Sequence, residues 1–126
     1  MSRDAVTTPD APAIGPYSVA VRANGFVYLS GQTPVDPKTG KLAPGGVPEQ
    51  AEQCFKNLRA VLTAAGLSLD DVVKVNVYLV DIGEFAAMNA VYEKQFAKPF
   101  PARTTVAVKA LPFNSQVEIE MVAKDR

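Results

Sequence analysis

The spacing of apolar residues predicts two amphipathic helices. The first begins near Pro48 and ends near Gly66, and apolar residues recur along it every three or four positions. Its stripe consists of Ala51, Cys54, Phe55, Leu58, Val61, Leu62 and Ala65. The second begins at Asp81, a good helix N-cap, and is ended by Pro99. Its stripe consists of Phe85, Met88, Tyr92 and Phe96. Because such spacing aligns side chains on one helix face, each helix is expected to bury one side.

Alternating apolar and polar residues predict the strands. Two short β-rich runs flank Asn24-Gly25, a dipeptide typical of tight hairpin turns. Residues 71–80 place Val73, Val75, Val77 and Leu79 on the face opposite Lys74, Asn76 and Tyr78. Two further strands follow, at residues 102–109 and 116–122. The order β-β-α-β-α-β-β predicts an α+β domain with two helices on one face of a sheet.

The two helices can cover only one face of this sheet. We expect the other face to be partly polar, with Lys74, Asn76, Arg103, Thr105, Glu118 and Glu120 on it. A face of this kind needs a partner, and self-association is the simplest one. Residues 1–126 are interpreted as a single domain in which residues 1–13, which are polar and lack periodicity, form a loosely ordered arm.

Composition and charge exclude several classes of function. Thirteen acidic and thirteen basic residues give zero net charge, which leaves no electrostatic footprint for nucleic acid. No apolar run has the length of a membrane helix, and the single cysteine, Cys54, fits a reducing compartment, so a cytoplasmic protein is expected. The chain has no histidine, which rules out Ser-His and Cys-His pairs and the common zinc sites.

Two polar residues are ambiguous in the pattern alone. Arg103, near the start of a strand, is either solvated at a sheet edge or held against an anion, and solvation is the commoner case. Asn89 borders the apolar stripe of the second helix and is either a wetted boundary residue or a functional one.

Four short motifs resolve this ambiguity. They are Gly15-Pro16-Tyr17-Ser18, Leu29-Ser30-Gly31-Gln32, Phe100-Pro101-Ala102-Arg103 and Val117-Glu118-Ile119-Glu120. In this order and spacing the chain resembles the RidA/YjgF family from about Ala13 to Ala123. The resemblance implies a homotrimer with a chorismate-mutase-like fold, a mixed sheet and clefts between subunits. It also implies hydrolysis of 2-aminoacrylate and 2-iminobutanoate to 2-oxoacids and ammonia, without cofactor or metal.

The resemblance implies a role for each matching residue. Arg103 would bind the substrate carboxylate and Glu118, rather than Glu120, would place the attacking water. The pocket would be lined by Tyr17, Ser30, Gly31, Asn89 and Thr105, the last at a position where many members have cysteine. An arginine beside Glu118 would hold that carboxylate ionised until a bound substrate neutralises the arginine.

Two alternatives remain open beside the deaminase. One is a non-catalytic or chaperone-like trimer that binds a small carboxylate through Arg103 and does not need Glu118. The other is a ribonuclease or translation inhibitor, against which the neutral charge and the absence of histidine argue.

Overall fold

The computed structural model describes residues 2–126, which fold into eight strands and two helices. The strands are β1 (Asp4–Val6), β2 (Ala20–Ala23), β3 (Phe26–Gln32), β4 (Val35–Asp36), β5 (Lys41–Leu42), β6 (Val72–Leu79), β7 (Ala102–Ala107) and β8 (Val117–Lys124). The helices are α1 (Val47–Ala64) and α2 (Phe85–Tyr92). None of the helices in this range is long and apolar enough to cross a membrane.

Six strands form one mixed sheet in the order β1-β2-β3-β8-β6-β7. The pair β6–β7 is parallel, because α2 lies between these strands in sequence, and the other pairs are antiparallel. Strands β4 and β5 form a separate hairpin. The predicted α+β fold, with two helices on one face of a mixed sheet, is confirmed.

Helix α1 supplies more core residues than any other element, and all seven residues of its predicted stripe are buried. It begins where Glu49 Oε1 accepts a hydrogen bond from the Gly46 backbone N–H at 2.7 Å. It ends just before Gly66, whose φ of 78° suits a glycine after a helix. Phe55 packs edge-on against Tyr92 of α2, with ring centroids 5.8 Å apart. This contact joins the two helices over the sheet.

The turn between β2 and β3 also matches the sequence pattern. Asn24 and Gly25 have φ of 54° and 85°, and Ala23 pairs directly with Phe26. A turn with two positive φ values has the twist that a two-residue hairpin needs.

The N-terminal arm departs from its prediction. Asp4–Val6 pairs with β2 as an edge strand, and Val6 and Ala11 are buried. Backbone pairing needs no side-chain pattern, so three residues at a sheet edge gave no periodic signal. Met1 lies outside the described residues.

Two smaller predictions were wrong. Val73 is 42 % exposed and Val72 is buried instead, because the β6–β8 register shifts between Val72 and Lys74. Such an irregularity reverses the alternation of faces. Helix α2 ends at Tyr92, well before Pro99, although Phe96 still packs against the core.

The prediction of the sheet face on which Arg103 and Thr105 lie was also wrong. In the parallel register, Arg103 pairs with Val75 and Thr105 with Val77, both of which are fully buried beneath the helices. Paired residues share a face, so Arg103 and Thr105 lie on the helix side of the sheet. At this edge strand, a long side chain on the helix side can reach past the helices to water.

Candidate active site

Arg103 lies on the edge strand β7 and stacks on two aromatic rings of α2. Its guanidinium carbon is 4.5 Å from the ring centroid of Tyr92 and 5.4 Å from that of Phe85. Residues 2–126 contain no carboxylate that forms an ion pair with it. Aromatic faces orient a guanidinium without neutralising it, so its donors remain available for an anion.

Three buried oxygens near Arg103 have no hydrogen-bond partner among the residues that the structure describes. They are Asn89 Oδ1, the Tyr92 hydroxyl and Thr105 Oγ1. Asn89, Tyr92 and Arg103 line one cleft of about 340 Å³, and Thr105 lies two residues further along the same face of β7. Buried polar atoms normally find partners, so three unpartnered ones beside one arginine favour a further group here, such as a ligand or an ordered water. We call Asn89, Tyr92, Arg103 and Thr105 the arginine half-site.

Glu118 lies on β8, on the sheet face away from the helices. It pairs with Tyr78 of β6, whose neighbours Val77 and Leu79 point to the core. A Cβ built on Gly31 would lie 2.5 Å from Glu118 Oε2, closer than real Cβ contacts occur. The absence of a side chain at Gly31 is therefore what lets the carboxylate rest against β3.

Ser30 precedes Gly31 on β3, and Tyr17 lies in the loop before β2. Ser30 Oγ donates a hydrogen bond of 2.6 Å to the carbonyl of Ser18, which fixes the loop against β3. Tyr17 is 44 % exposed and lines a cleft of about 540 Å³ together with Ser30 and Arg3. We call Tyr17, Ser30, Gly31 and Glu118 the glutamate half-site.

Polar side chains of α1 hold the chain on the C-terminal side of Gly31. The Cys54 thiol donates to the Gln32 carbonyl at 3.2 Å, and Asn57 Nδ2 donates to the Val35 carbonyl at 2.9 Å. Both side chains are buried. Burial, with Glu118 nearby, raises the pKa of the Cys54 thiol well above its usual range. It is therefore a structural donor and not a nucleophile.

The electrostatic surroundings of Glu118 differ from the expected ones. Partial burial and, secondly, the neighbouring Glu120 raise the pKa of Glu118 above its usual range. Within one chain Arg103 lies on the opposite face and does not act on Glu118, so the expected effect of the arginine on this carboxylate stays a prediction about two copies. Glu120 itself accepts hydrogen bonds from the Tyr78 hydroxyl and from Asn76 Nδ2, the latter at 3.3 Å.

The seven candidate residues thus fall into two groups rather than one. Arg103 and Asn89 line one cleft, with Thr105 on the same face of β7. Glu118 lies against Gly31 on the other side of the sheet, and Ser30 and Tyr17 line a cleft next to Gly31 in sequence. The sequence interpretation missed Tyr92, which it placed in the apolar stripe of α2. A tyrosine in such a stripe is a weak signal, because its ring serves the core whatever its hydroxyl does.

A comparison with known proteins identifies the family. The family model described as Endoribonuclease L-PSP matches residues 8–125. The chain belongs to this family. The chain is 47% identical over 122 residues to the mouse protein named 2-iminobutanoate/2-iminopropanoate deaminase, which covers 96% of this chain and 90% of the relative. Other relatives are named RutC family proteins.

Solved structures of the family have the same fold. RidA from an Antarctic Psychrobacter superposes with a TM-score of 0.92 at 46% identity, over 96% of this chain and 98% of that one. TdcF from E. coli, solved with bound serine, gives 0.91 at 38% identity, over 98% and 99%. The resemblance of the short motifs to the RidA/YjgF family is confirmed over nearly the whole chain.

Proposed function

We propose that this chain is a cofactor-independent deaminase of 2-imino acids. Its substrates are the enamine/imine forms of small amino acids, 2-aminoacrylate and 2-iminobutanoate, and its products are 2-oxoacids and ammonia. The active sites lie between copies in a homotrimer, where the arginine half-site of one copy faces the glutamate half-site of the next. Under this proposal the pocket residues act in the roles that the family resemblance implies.

One observation supports this proposal above the others. Arg103 and Glu118 lie on opposite faces of one sheet, with β6 between their strands. A substrate of a few heavy atoms cannot reach both in a single chain. The two groups act on the same molecule only if they come from different copies.

The chemistry of the arginine half-site suits a small carboxylate. A guanidinium offers two parallel N–H donors that match the two oxygens of a planar carboxylate. The unpartnered Thr105 hydroxyl and Asn89 amide lie on the same side and can bond the rest of the ligand. The related TdcF was solved with serine, an amino acid that has such a carboxylate.

The glutamate half-site supplies the proton transfers of hydrolysis. The imine carbon is electrophilic, so water can add to it once a base removes a proton. Glu118 takes this proton as the new C–O bond forms, and the electron pair of the C=N bond moves to nitrogen, which Glu118 then protonates. The hydroxyl of the carbinolamine next gives its proton to Glu118, and this proton passes to nitrogen as the C–N bond breaks. Ammonia leaves and the 2-oxoacid remains, with Glu118 restored. A carboxylate whose pKa is raised is a better base for this exchange near neutral pH.

The open face of the sheet supports association between copies. Apolar side chains are exposed on it, among them Phe26, Tyr28 and Val106, each at least 37 % exposed. Phe26 and Tyr28 lie side by side, with centroids 6.4 Å apart. Exposed aromatic groups beside carboxylates are typical of a surface that another copy covers.

The test is Arg103→Lys, assayed by coupling the protein to a threonine dehydratase and following 2-oxobutanoate. Lysine keeps the charge but loses the bidentate fork, so kcat/KM should fall about a hundred-fold. Arg59→Lys is the matched control, since Arg59 lies on the surface of α1 and bonds Gln95. If Arg103→Lys kept more than about a third of kcat/KM, bidentate binding of the carboxylate by arginine would not be needed for the reaction.

Two alternatives are tested by the same preparations. A non-catalytic carboxylate-binding or chaperone-like trimer would bind 2-oxobutanoate through Arg103 and leave imine decay unchanged. Ribonuclease activity is favoured by the family's description, and it would appear as RNA cleavage sensitive to Glu118→Gln. Zero net charge argues against it, because nucleic-acid affinity comes largely from cationic contacts to phosphates.

A cytoplasmic location is favoured by the single cysteine, which is a buried free thiol, and stays a prediction.

A further inference from the structure

Two glutamates stand side by side on the open face of the sheet, and their surroundings differ. Glu118 and Glu120 are two residues apart on β8, so they share a face at about 6–7 Å along the strand. Only one of them is needed for the hydrolysis proposed above. Glu120, which the hydrolysis does not need, is nevertheless the one that accepts side-chain hydrogen bonds.

Glu120 accepts two hydrogen bonds on one oxygen. Asn76, its direct partner across the β6–β8 pair, donates from Nδ2 at 3.3 Å to Oε1. Tyr78 donates its hydroxyl to the same oxygen. Tyr78 is the direct partner of Glu118, so its side chain reaches diagonally past Glu118 to bond the second carboxylate.

Glu118 accepts no such bond from residues 2–126. Its carboxylate rests against the bare backbone of Gly31, and no side chain or backbone N–H in the described chain donates to it. Hydrogen bonds favour the ionised form of a carboxylate, and a neighbouring negative charge disfavours it. When the pair holds one proton, that proton therefore belongs on Glu118.

We propose that Tyr78 and Asn76 are positioning residues that hold Glu120 as the fixed anion of a carboxyl pair, so that Glu118 carries the mobile proton of the reaction. This rests on the proposed function, in which Glu118 handles the proton of the attacking water. It adds a reason why two glutamates occupy one face and why Tyr78 bonds the farther one.

The other charged and titratable groups around Glu118 do not supply this asymmetry. From β3, Tyr28 lies opposite Val122, beyond Glu120. From β6, Lys74 bonds Thr104 Oγ1 at 2.9 Å and not a carboxylate. From α1, the buried Cys54 thiol lies beneath the sheet and stays neutral. Arg103 of a neighbouring copy faces the pair across the proposed active site, so the titration is made with 2-oxobutanoate bound, whose carboxylate neutralises the arginine.

The phenol keeps its proton over the range in which the pair titrates. Its hydrogen bond to Glu120, together with burial, raises the pKa of Tyr78 to about 12. Tyr78 is therefore a permanent donor at any pH at which a carboxyl group changes charge.

The experiment is a pH titration of the intact protein with ¹³C-labelled glutamate carboxyl carbons, alongside the pH profile of kcat/KM. In the parent protein the step at higher pH should appear on Glu118. Glu120→Gln removes the neighbouring charge, so the Glu118 step and the acid limb of kcat/KM should both move to lower pH. Tyr78→Phe removes a hydrogen bond that favours ionised Glu120, so Glu120 should take part of the proton from Glu118. The step should then spread over both carboxyl carbons, and the acid limb should move to lower pH.

Thr104→Val is the matched control, because Thr104 lies on the same face and bonds Lys74 rather than a carboxylate. Its pH profile should be unchanged. Circular dichroism verifies that the variants are folded, and Glu120→Gln provides an independent reading if Tyr78→Phe does not fold. Unmoved titration of Glu118 in Glu120→Gln would overturn the proposal. So would a fall in kcat with no shift on the pH axis, which is what a purely structural role produces.

The outcome is separable from that of the deaminase proposal. The carboxyl titration needs no turnover, so it tests the pair even in a protein that hydrolyses nothing. Conversely, full activity of Glu118→Gln would end the proposed role of Glu118 whatever the titration of the pair.

Discussion

At the scale of single residues, the site depends most directly on a side chain that is missing. Gly31 leaves room for the Glu118 carboxylate, and a methyl group there would overlap Oε2 at 2.5 Å and the carboxyl carbon at 3.0 Å. The overlapping atoms are the far end of a flexible side chain, which can move aside at little cost. A change at Gly31 should therefore displace the carboxylate rather than unfold the chain.

We predict that Gly31→Ala keeps its fold but loses activity. Misplacing a catalytic group by about 1 Å costs on the order of a hundred-fold in rate, and kcat should fall by about that factor. Thermal unfolding should change little. Gly46→Ala is the control, since a Cβ there meets nothing closer than 3.8 Å. A Gly31→Ala protein with normal kcat would mean that the position of Glu118 does not limit the reaction.

The sequence indicated which residues have special roles better than it indicated which side chains they contact. A glycine at the end of β3 indicated a close backbone approach, and Gly31 makes one. The pairing of Tyr78 with Glu120 was not predictable, because it depends on the register of β6 against β8 and on a diagonal contact. Periodicity alone did not distinguish Glu118 from Glu120, which share a face.

At the scale of elements, the sequence predicted α1 best. Its stripe is long, uninterrupted and bounded by Pro48 and Gly66, so one pattern and two end signals agree. Strand β7 was predicted in position but not in orientation. Its valines and alanines suggested a core face, yet Val106 is 41 % exposed while Arg103 and Thr105 are partly covered. The orientation of β7 is set by its edge position and its parallel pairing with β6, and neither can be predicted from a six-residue pattern.

The turn before β6 offers a test of element stability. Asp71 accepts hydrogen bonds from the Ser68 backbone N–H at 2.9 Å and from Arg126 Nη2 at 2.8 Å. Chiefly because of the Arg126 bond, the pKa of Asp71 lies below its usual range. A lowered pKa means that the folded state favours the ionised form, so this stabilisation is present above the pKa of the unfolded chain. It disappears as pH falls through the folded-state pKa.

We predict that Asp71→Asn lowers the free energy of unfolding by about 0.5 kcal/mol at pH 7, because the bond it loses is an ion pair with a largely exposed arginine. The difference from the parent protein should vanish in acid, where Asp71 is protonated in both states. Urea unfolding at several pH values measures this. Asp70→Asn is the matched control, because in the described chain no group donates to the Asp70 carboxylate. A loss that persists unchanged at low pH would assign the effect to packing and not to charge.

At the scale of the whole molecule, the sheet itself separates the two halves of the chemistry. The helices cover the face that contains the arginine half-site, and the open face contains the glutamate half-site. Under the proposed function, a single chain therefore contains two incomplete sites. Under the proposed assembly a monomer lacks activity, and sedimentation that shows a stable monomer at micromolar concentration would contradict the homotrimer.

The sharpest prediction at this scale is complementation between two inactive variants. Arg103→Lys leaves a chain with an intact glutamate half-site, and Glu118→Gln leaves one with an intact arginine half-site. If each active site takes one half from each of two copies, mixed trimers recreate complete sites where an intact half faces an intact half. Random assembly from equal amounts of the two variants makes about a quarter of the sites complete.

Co-expression of the two variants, with 2-oxobutanoate formation measured per subunit, should therefore restore about a quarter of the parent activity. Combining both changes in one chain and mixing it with either single variant is the control, because no such trimer has a complete site. Activity that stays at the level of the separate variants would place Arg103 and Glu118 in different functions, and the active site would then have to be sought on one face of the sheet alone.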